Sequence, residues 1–539
     1  MEKFVNWWKK ENRIQTFVKA ALMALLPVCC CLVHCAMQGR SIGEVYLPAS
    51  QWNDELFYFK QTEAIVNFGY PRGYFGFNES HALKLSFAAW SPVLLLPWIL
   101  WGLVFGWNLM SPVICNVVLL TAAVFCFVWL VRPTWKQMGV LTLLFCLYTP
   151  FVRYMLSGMP EVICFSLLIV FYGLAVRYLE EEHTLYLVLL FMVSGLLVLM
   201  RPYMLLFLML PVFLWMKRDK RRGALGAAFV TLAVLGCYAL IKHYLGAEYF
   251  APLFFTDWIM AFVEKGIWGG LRNFFSTLYW MGKGFLGMTL EGFRSGLASG
   301  AFFGGYLVVM AVLLWQSIMD FVRLRRVLGQ EKEQPVNEQS KSLRNKVWIE
   351  GHLAFCYVGM LFALLLMYKL TEGSKHLLTF LAAGVFVVSL METKTYKKAV
   401  LVGAVFAYLY SYKAVADYDY QIPFATQEEV AKHEEWTEIF DREITFVEEG
   451  IPNYDNVMIW MFNDTIEQST VNTKWQLLYA LPEGMGINCC EKDYVADHMG
   501  ELKSRYIALP AGGETDAACK DAGYRELARD KDMAVYQLY

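Results

Sequence analysis

Long apolar runs, separated by short polar or charged segments, make up most of the chain between residues 15 and 415. Most of these runs approach the ~20 residues that an α-helix needs to cross a bilayer. The pattern predicts an all-α polytopic membrane protein with about 11–13 transmembrane helices. The apolar stretches lie near 17–37, 86–107, 111–131, 139–157, 160–178, 184–200, 203–216, 223–245, 297–320, 347–369, 376–392 and 398–415.

Composition supports the same class. Of the 539 residues, 57% are apolar and only 18% are charged, and the mean hydropathy is +0.40. A soluble enzyme of this length would carry more charge and fewer uninterrupted apolar runs. The formal net charge of −1 gives no information about nucleic acid, and no basic block is long enough to suggest such a partner. The apolar runs make membrane lipids the expected surroundings. The first apolar core, 17–37, is too long for a cleavable signal peptide and predicts a retained helix.

Basic residues orient the chain, because cytoplasmic loops are enriched in lysine and arginine. The run Lys217–Arg222 and the loop 321–346, with seven basic and three acidic residues, are predicted to be cytoplasmic, as is the basic N-terminus. The first loop, 38–85, the region 246–296 and everything after residue 415 are then extracytoplasmic. The prediction is a multi-pass protein of a plasma membrane.

One segment complicates this topology. Residues 86–131 contain two apolar stretches but must cross only once if Arg132 and Lys136 are cytoplasmic. Pro92 and Pro97 favour the first stretch as a re-entrant or interfacial segment, because proline interrupts the helical hydrogen-bond ladder. The alternative is that the two cations are external.

The pattern changes after residue 415. We therefore divide the chain into a transmembrane domain, 1–415, and a small extracytoplasmic α/β domain, 425–539. Thr426 is a candidate N-cap for a charged helix over 426–449. Short apolar runs that suit buried strands lie at 455–462, 505–509 and 533–539.

Thirteen cysteines are present, and ten of them lie in apolar segments, where cysteine packs as a small hydrophobic residue. Cys489, Cys490 and Cys519 lie in the tail, where a disulfide from Cys519 to one of the adjacent pair is possible. No Cys/His metal spacing occurs. Glu79 and His81 would supply two ligands without a third, so no cofactor is predicted and a divalent metal is not indicated.

Acidic residues next to apolar segments are the first candidates for chemistry. Asp54 and Glu55 follow the first helix and either cap the next one or hold a carboxylate at the membrane boundary for catalysis. Glu161 follows Pro160 at the start of an apolar stretch. It either complements the helix dipole or faces a wet cavity, as acidic groups at membrane depth usually do.

Cationic residues form a second candidate set near the same predicted face. Each alone fits a side chain that extends to the lipid headgroups. Together they would form a receptor for a phosphate or diphosphate group. The set comprises Arg153, Arg201, Lys369, Lys375 and His376, with Lys84 as a weaker member.

Four short motifs together resemble the GT-C superfamily of membrane glycosyltransferases, which includes protein O-mannosyltransferases and aminoarabinose transferases. Trp52-Asn53-Asp54-Glu55-Leu56-Phe57-Tyr58 resembles the acidic signature of the first external loop, and Gly73–Glu79, leading into Trp90–Leu95, resembles the second half of that loop. Ser157–Glu161 resembles the second acidic position. Gly373–Leu378 resembles the late basic motif, although family members often have arginine where Lys375 stands.

The resemblance implies sugar transfer from a polyprenyl-phosphate donor to an acceptor hydroxyl on the extracytoplasmic face, with inversion at the anomeric carbon. Asp54 would be the general base, and Glu55 or Glu161 would orient the acceptor or the sugar. The sugar remains open, as does the acceptor, which is a protein, a lipid or a cell-wall polymer. The residues implied in binding the donor phosphate are Arg201, Lys375, His376 and Lys84.

A transporter or flippase for a lipid-linked or anionic substrate is the alternative. It would also use cations and carboxylates within the membrane. Transporters commonly contain internal repeats with interrupted helices at matching positions. The sequence contains no such repeat, which favours the enzyme.

Overall fold

The computed structural model describes the chain apart from several short segments. The segments outside the described residues are 1, 51, 70–74, 80–90, 247–254, 296–297, 331–337, 369, 371–372, 392–394, 417–420, 448–453 and 463–476.

Helices dominate the region up to residue 416, and their bounds follow the apolar stretches closely. The helices are α1 Glu2–Ala24, α2 Leu26–Met37, α3 Asn53–Phe68, α4 Leu96–Phe105, α5 Ser111–Val131, α6 Trp135–Leu147, α7 Thr149–Met155, α8 Glu161–Glu181, α9 Thr184–Met200, α10 Leu205–Arg218, α11 Lys220–Leu245, α12 Asp257–Glu264, α13 Gly266–Ser295, α14 Ala298–Gln330, α15 Glu338–Met367, α16 Gly373–Ser389 and α17 Thr395–Ala416. Helices α5, α8 and α16 pack side by side, and α14 packs against α15 and α17.

The all-α polytopic class is confirmed, but fewer helices are full-length spans than predicted. Within the described residues, six helices are long and apolar enough to cross a membrane, or seven if α6 and α7 count as one span bent by 72°. Three further apolar helices have only 10–17 residues. The predicted 11–13 crossings counted these short helices, the bent pair, α10 and α17 as full spans.

The segment that follows Pro92 packs against α3. A short 3-10 turn, Pro92–Leu95, leads into α4, which packs on α3. The indole nitrogen of Trp107 donates to the carbonyl of Phe59 in α3 at 3.2 Å. Gly102 allows this close packing, because a Cβ there would lie 2.6 Å from Val66. The segment from Pro92 to Trp107 is therefore held against α3, and its predicted re-entrant path stays a prediction.

The tail forms a mixed six-stranded sheet with the order β1-β3-β2-β4-β6-β5. The first four strands in this order run parallel, and β6 is antiparallel to both β4 and β5. The predicted N-cap is confirmed, since Thr426 forms a capping box with Glu429 at the start of α18. The elements are β1 Phe75–Phe77, α18 Gln427–Glu443, β2 Val457–Phe462, β3 Gly486–Glu491, α19 Lys492–Asp497, β4 Tyr506–Pro510, α20 Glu514–Asp521, β5 Arg525–Arg529 and β6 Met533–Gln537.

Alternating residues of the central strands serve two cores, as expected for a sheet covered on both faces. Met458 and Trp460 of β2 join the main hydrophobic core that continues into the transmembrane region. Ile459 and Met461 face a smaller core that contains Val495 of α19. The smaller core also contains Cys490 and Cys519, and all thirteen cysteines are free thiols in this structure.

The first loop is built into the tail domain. Strand β1, which belongs to the 38–85 loop, pairs in parallel with β3, so that Phe75 lies opposite Ile487. Nearer the N-terminus, Val45 forms an antiparallel bridge with Phe424. The proposed division at residues 415–425 therefore separates the membrane helices from a sheet whose edge strand comes from the first loop.

Candidate active site

The first turn of α3 carries an exposed carboxylate that meets a cation from α16. Lys375 Nζ lies 2.5 Å from Asp54 Oδ2. The side chains retain exposures of 20% for Lys375 and 33% for Asp54, so the pair is accessible to a substrate. Trp52 is the N-cap residue of α3 and makes no side-chain capping bond. The alternative that Asp54 caps the helix is therefore wrong, and Asp54 occupies the first turn.

A second, fully buried ion pair joins α8 to the end of α9. Arg201 Nη2 donates to Glu161 Oε1 at 2.5 Å, and neither side chain is exposed. Glu161 occupies the first turn of α8, where the helix dipole favours a carboxylate. Arg201 follows the last residue of α9 and adopts an extended backbone. Because it points into the protein, the alternative that Arg201 extends to the lipid headgroups is wrong.

His376 and Tyr203 complete the environment of Arg201. The guanidinium donates to His376 Nδ1 at 3.1 Å and to the Tyr203 hydroxyl at 3.0 Å, and that hydroxyl lies 3.0 Å from the same ring nitrogen. A guanidinium can only donate, so Nδ1 of His376 acts as an acceptor and the ring is neutral. Since His376 follows Lys375 directly, one helix start joins the exposed pair to the buried one.

Tyr58 lies close enough to both ion pairs to interact electrostatically with their charges. It was not identified as a site residue from the sequence. It lies one turn after Asp54 on α3 and is 5% exposed. Burial, reinforced by the carboxylates of Asp54 and Glu161, raises the pKa of Tyr58, while the cations Lys375 and Arg201 oppose that rise. The phenol therefore keeps its proton at neutral pH. The i,i+4 spacing from Asp54 was the available signal, because it places both side chains on one helix face.

Glu55 faces away from this cluster and forms a third pair. Its Oε1 accepts from Arg153 Nη1 at 3.1 Å, and the exposures are 0% for Glu55 and 1% for Arg153. The guanidinium also donates to Ser50 Oγ at 3.2 Å and lies 3.8 Å from the ring centre of Trp52. Burial raises the pKa of Glu55, and Arg153 opposes this shift. The buried Glu55–Arg153 pair therefore holds the first turn of α3 in place.

The loop before Glu161 is held by backbone contacts. Asn116 of α5 is fully buried and donates to the carbonyls of Ser157 and Met159, each at 3.2 Å. A Cβ on Gly158 would lie 3.0 Å from the Cβ of Glu55, so glycine permits the close approach of this loop to α3. These contacts fix the positions of Asp54 and Glu161 relative to each other. Asn116 was not identified from the sequence, although a polar residue within an apolar run predicts an interior partner.

Other predicted residues lie elsewhere. Lys84, His81 and Lys369 lie outside the described residues. Glu79 is buried in the tail domain, where its carboxylate accepts from the backbone nitrogens of Lys503 and Ser504. These bonds occupy the carboxylate, so the interpretation of Glu79 as a metal ligand is wrong. Within the described ranges, no group of three or more His, Cys, Asp or Glu residues is placed to hold a metal ion.

The cluster thus combines an accessible carboxylate, an accessible ammonium, a protonated phenol and a buried guanidinium–carboxylate pair. The carboxylate can accept a proton from a hydroxyl, and the ammonium can bind an anionic oxygen. The buried members hold the helix starts together and supply positive charge behind the exposed pair.

No family model matches the chain, and no curated protein matches its sequence significantly. Among solved structures, the chain is similar to the oligosaccharyltransferase of Archaeoglobus fulgidus in the apo form, with 10% identity, a TM-score of 0.46 and coverage of 96% of this chain and 73% of that chain. It is also similar to ArnT from Cupriavidus metallidurans, in the apo state with 11% identity and a TM-score of 0.42, and bound to undecaprenyl phosphate with 10% identity and a TM-score of 0.41. Each ArnT comparison covers 98% of both chains. At these identities the likeness extends to the fold alone, and every TM-score is below 0.5.

Proposed function

We propose that the chain is an inverting glycosyltransferase that moves a sugar from a polyprenyl-phosphate donor to an acceptor hydroxyl on the extracytoplasmic face. The observation that carries the proposal is the accessible Asp54–Lys375 pair above the buried Glu161–Arg201 pair. It supplies a base and a phosphate-binding cation within one small site at the end of a membrane bundle. The sequence motifs that resemble the superfamily contain three of these four residues, Asp54, Glu161 and Lys375.

The transfer step needs one proton acceptor. In the proposed reaction the acceptor oxygen attacks the anomeric carbon, its proton passes to a carboxylate oxygen of Asp54, and the bond from that carbon to the donor phosphate breaks. The polyprenyl phosphate leaves with the bonding electrons. Because attack and departure occur on opposite sides of the carbon, a single displacement inverts the anomeric configuration.

The leaving phosphate gains negative charge as the bond breaks. Lys375 is the exposed cation of the site and would stabilise that charge by a direct bond to a phosphate oxygen. In the structure Lys375 is bound to Asp54, so the donor phosphate would compete with Asp54 for the ammonium. Binding of the donor would thereby release the carboxylate for the acceptor hydroxyl.

The buried pair has a supporting role in this proposal. Arg201 is neutralised by Glu161 and has no exposed surface, which makes it unsuited to direct phosphate contact in the observed arrangement. It fixes His376 through the 3.1 Å bond and so fixes the start of the helix that carries Lys375. Glu55, with Arg153, would position α3 and hence Asp54.

The test is transfer of radiolabelled sugar from a panel of synthetic polyprenyl-phosphate sugars by the purified full chain. Wild type is compared with Asp54→Asn, which keeps the shape of the side chain and removes the base. The matched control is Asp493→Asn, because Asp493 is also an exposed acidic residue in the first turn of a helix, within the tail domain. We expect release of polyprenyl phosphate by wild type and control, and a loss of at least about a hundredfold in Asp54→Asn.

Unchanged turnover in Asp54→Asn would contradict the assignment of the base while leaving the enzyme class in place. Saturable binding of a donor without turnover of any donor would instead support the transporter.

A further inference from the structure

A cavity of about 410 Å³ lies at the end of the bundle opposite the candidate active site. Its walls come from the ends of α5, α8 and α16 and from the beginnings of α6 and α15. Helix α8 runs from Glu161 in the site to Glu180 in the cavity wall, and α16 runs from Lys375 to Val387. The positive-inside pattern predicts that this end faces the cytoplasm.

Cations dominate the rim of the cavity. Arg132 and Lys341 are exposed at the rim, and Lys346 is half-buried in the wall. The exposed carboxylate in the lining, Glu180, forms a 3.1 Å ion pair with Arg177, which also pairs with Glu181. The rim therefore presents net positive charge to the predicted cytoplasmic face.

Two of these cations occupy positions that local structure disfavours. Arg132 has φ +56°, the left-handed region that non-glycine residues seldom adopt, at the C-terminal cap of α5. Lys341 lies in the first turn of α15, which begins at Glu338, and the positive end of a helix dipole disfavours a cation there. The Lys341 ammonium also donates to the carbonyl of Glu180 at 3.5 Å, and an anion bound between Arg132 and Lys341 would balance their two positive charges.

Much of the inner wall of the cavity is apolar, although the buried carboxylate of Glu350 also lines it. Val176 and Leu179 of α8 face it together with Ile349 of α15 and Val387 of α16. A cationic rim above an apolar wall suits an amphiphile better than a bare ion. Basic pockets between transmembrane helices on the cytoplasmic side are known to bind anionic lipid headgroups.

We propose that this cavity is a binding site for a phosphate-bearing headgroup, held by Arg132 and Lys341 at the rim. The phosphate belongs to a phospholipid of the predicted cytoplasmic leaflet, whose first acyl carbons lie along the apolar wall. The site is separate from the proposed transfer site and does not depend on it.

The experiment measures lipid retained by the purified full chain in native mass spectrometry. The probe is dioleoylphosphatidylglycerol, and dioleoylglycerol serves as a lipid with the same tails and no phosphate. The variant is Arg132→Gln/Lys341→Gln. The control is Arg221→Gln/Arg222→Gln, which removes two exposed cations from the same end of the bundle, outside the cavity.

We expect retention of phosphatidylglycerol to fall at least about tenfold in the cavity variant and to stay unchanged in the control, with little retention of dioleoylglycerol. Thermal stabilisation by sodium phosphate that requires Arg132 and Lys341, without retained lipid, would support the same chemistry with a soluble phosphate as its source. Equal retention of the two lipids, or unchanged retention in the cavity variant, would overturn the proposal.

A second variant keeps every charge. Ser342 is exposed in the cavity lining, so Ser342→Phe fills the mouth of the cavity without touching the cations. We expect this variant to lose retained phosphatidylglycerol as well. Retention at the wild-type level would show that the lipid binds elsewhere.

Discussion

Asp54 and Lys375 are 321 positions apart in the chain and are joined by a 2.5 Å bond between a carboxylate oxygen and an ammonium. Each occupies the start of a helix, α3 or α16, and each keeps part of its side chain exposed. The pair joins the starts of α3 and α16, and its two partners have separate roles in the proposed reaction. Substitutions that remove the charge of a side chain but keep its size can therefore distinguish a loss of stability from a loss of catalytic rate.

Lys375→Met should reduce sugar transfer by at least about a hundredfold, because it removes the cation proposed to stabilise the leaving phosphate. Lys375→Arg should retain much of the activity, since a guanidinium also binds phosphate. The measurement is the initial rate over a range of donor concentrations. Lys398→Met, which removes an exposed lysine near the start of α17, is the control and should match wild type. Equal rates for Lys375→Met and the control would remove Lys375 from the mechanism.

Glu55→Gln should destabilise the folded chain by about 3–5 kcal/mol, because it leaves the guanidinium of Arg153 buried without its counter-charge. The double variant Glu55→Gln/Arg153→Met should recover part of that loss, since no uncompensated charge remains. The measurement is thermal or denaturant unfolding in detergent. Glu44→Gln is the control, because Glu44 pairs with Arg40 at the surface, where solvent screens the attraction. Similar losses of unfolding free energy for Glu55→Gln and Glu44→Gln would contradict a stabilising role of the Glu55–Arg153 pair.

Much of the helical layout could be predicted from the sequence, because uninterrupted apolar length specifies a membrane helix directly. The predicted stretch 111–131 is α5, and 184–200 is α9. Where proline or a polar turn interrupts an apolar run, length alone misleads: 139–157 folds as α6 and α7 with a 72° bend. Strand β1 has three residues and pairs with a strand more than 400 positions later, so no local pattern reveals it.

In the candidate site, too, local sequence predicts some features and not others. Asp54, Glu161, Arg201, Lys375 and His376 were each identified from their place beside apolar runs. Their pairing was not predicted, since it depends on how four separate helix ends meet. Glu55 adjoins Asp54 in sequence, but successive helical residues point in different directions, so the two carboxylates face different surroundings.

Acidification should loosen the contact between the first loop and the tail domain. The Tyr46 hydroxyl is hydrogen-bonded to Nδ1 of His433, and burial lowers the pKa of His433 to about 4 in the folded chain, from an ordinary value of 6.5. The unfolded chain therefore takes up the proton more readily than the folded chain does. The stabilisation by neutral His433 is complete above pH 6.5 and is lost as the pH falls from there toward about 4.

Hydrogen exchange of residues 42–50 between pH 7.5 and pH 4.5, corrected for intrinsic exchange rates, measures this effect. We expect protection to fall across that interval in wild type. His433→Gln should show weaker protection throughout and a smaller dependence on pH. If protection in His433→Gln depends on pH as it does in wild type, groups other than His433 cause the loss of protection.

Glu79→Gln should release the first loop from the tail domain. The buried carboxylate accepts from Lys503 N at 2.9 and 3.0 Å, and from Ser504 N and Ser504 Oγ, both at 2.7 Å. An amide offers one acceptor oxygen and places N–H groups against these donors, so about 1.5–3 kcal/mol should be lost. Hydrogen exchange in β3, which pairs with β1, should rise in Glu79→Gln and stay unchanged in Glu501→Gln, a substitution of an exposed carboxylate nearby. If transfer activity also falls while the tail sheet remains folded, the tail domain acts on the site through the loop that follows α3. Unchanged exchange in β3 would show that β1 is held without Glu79.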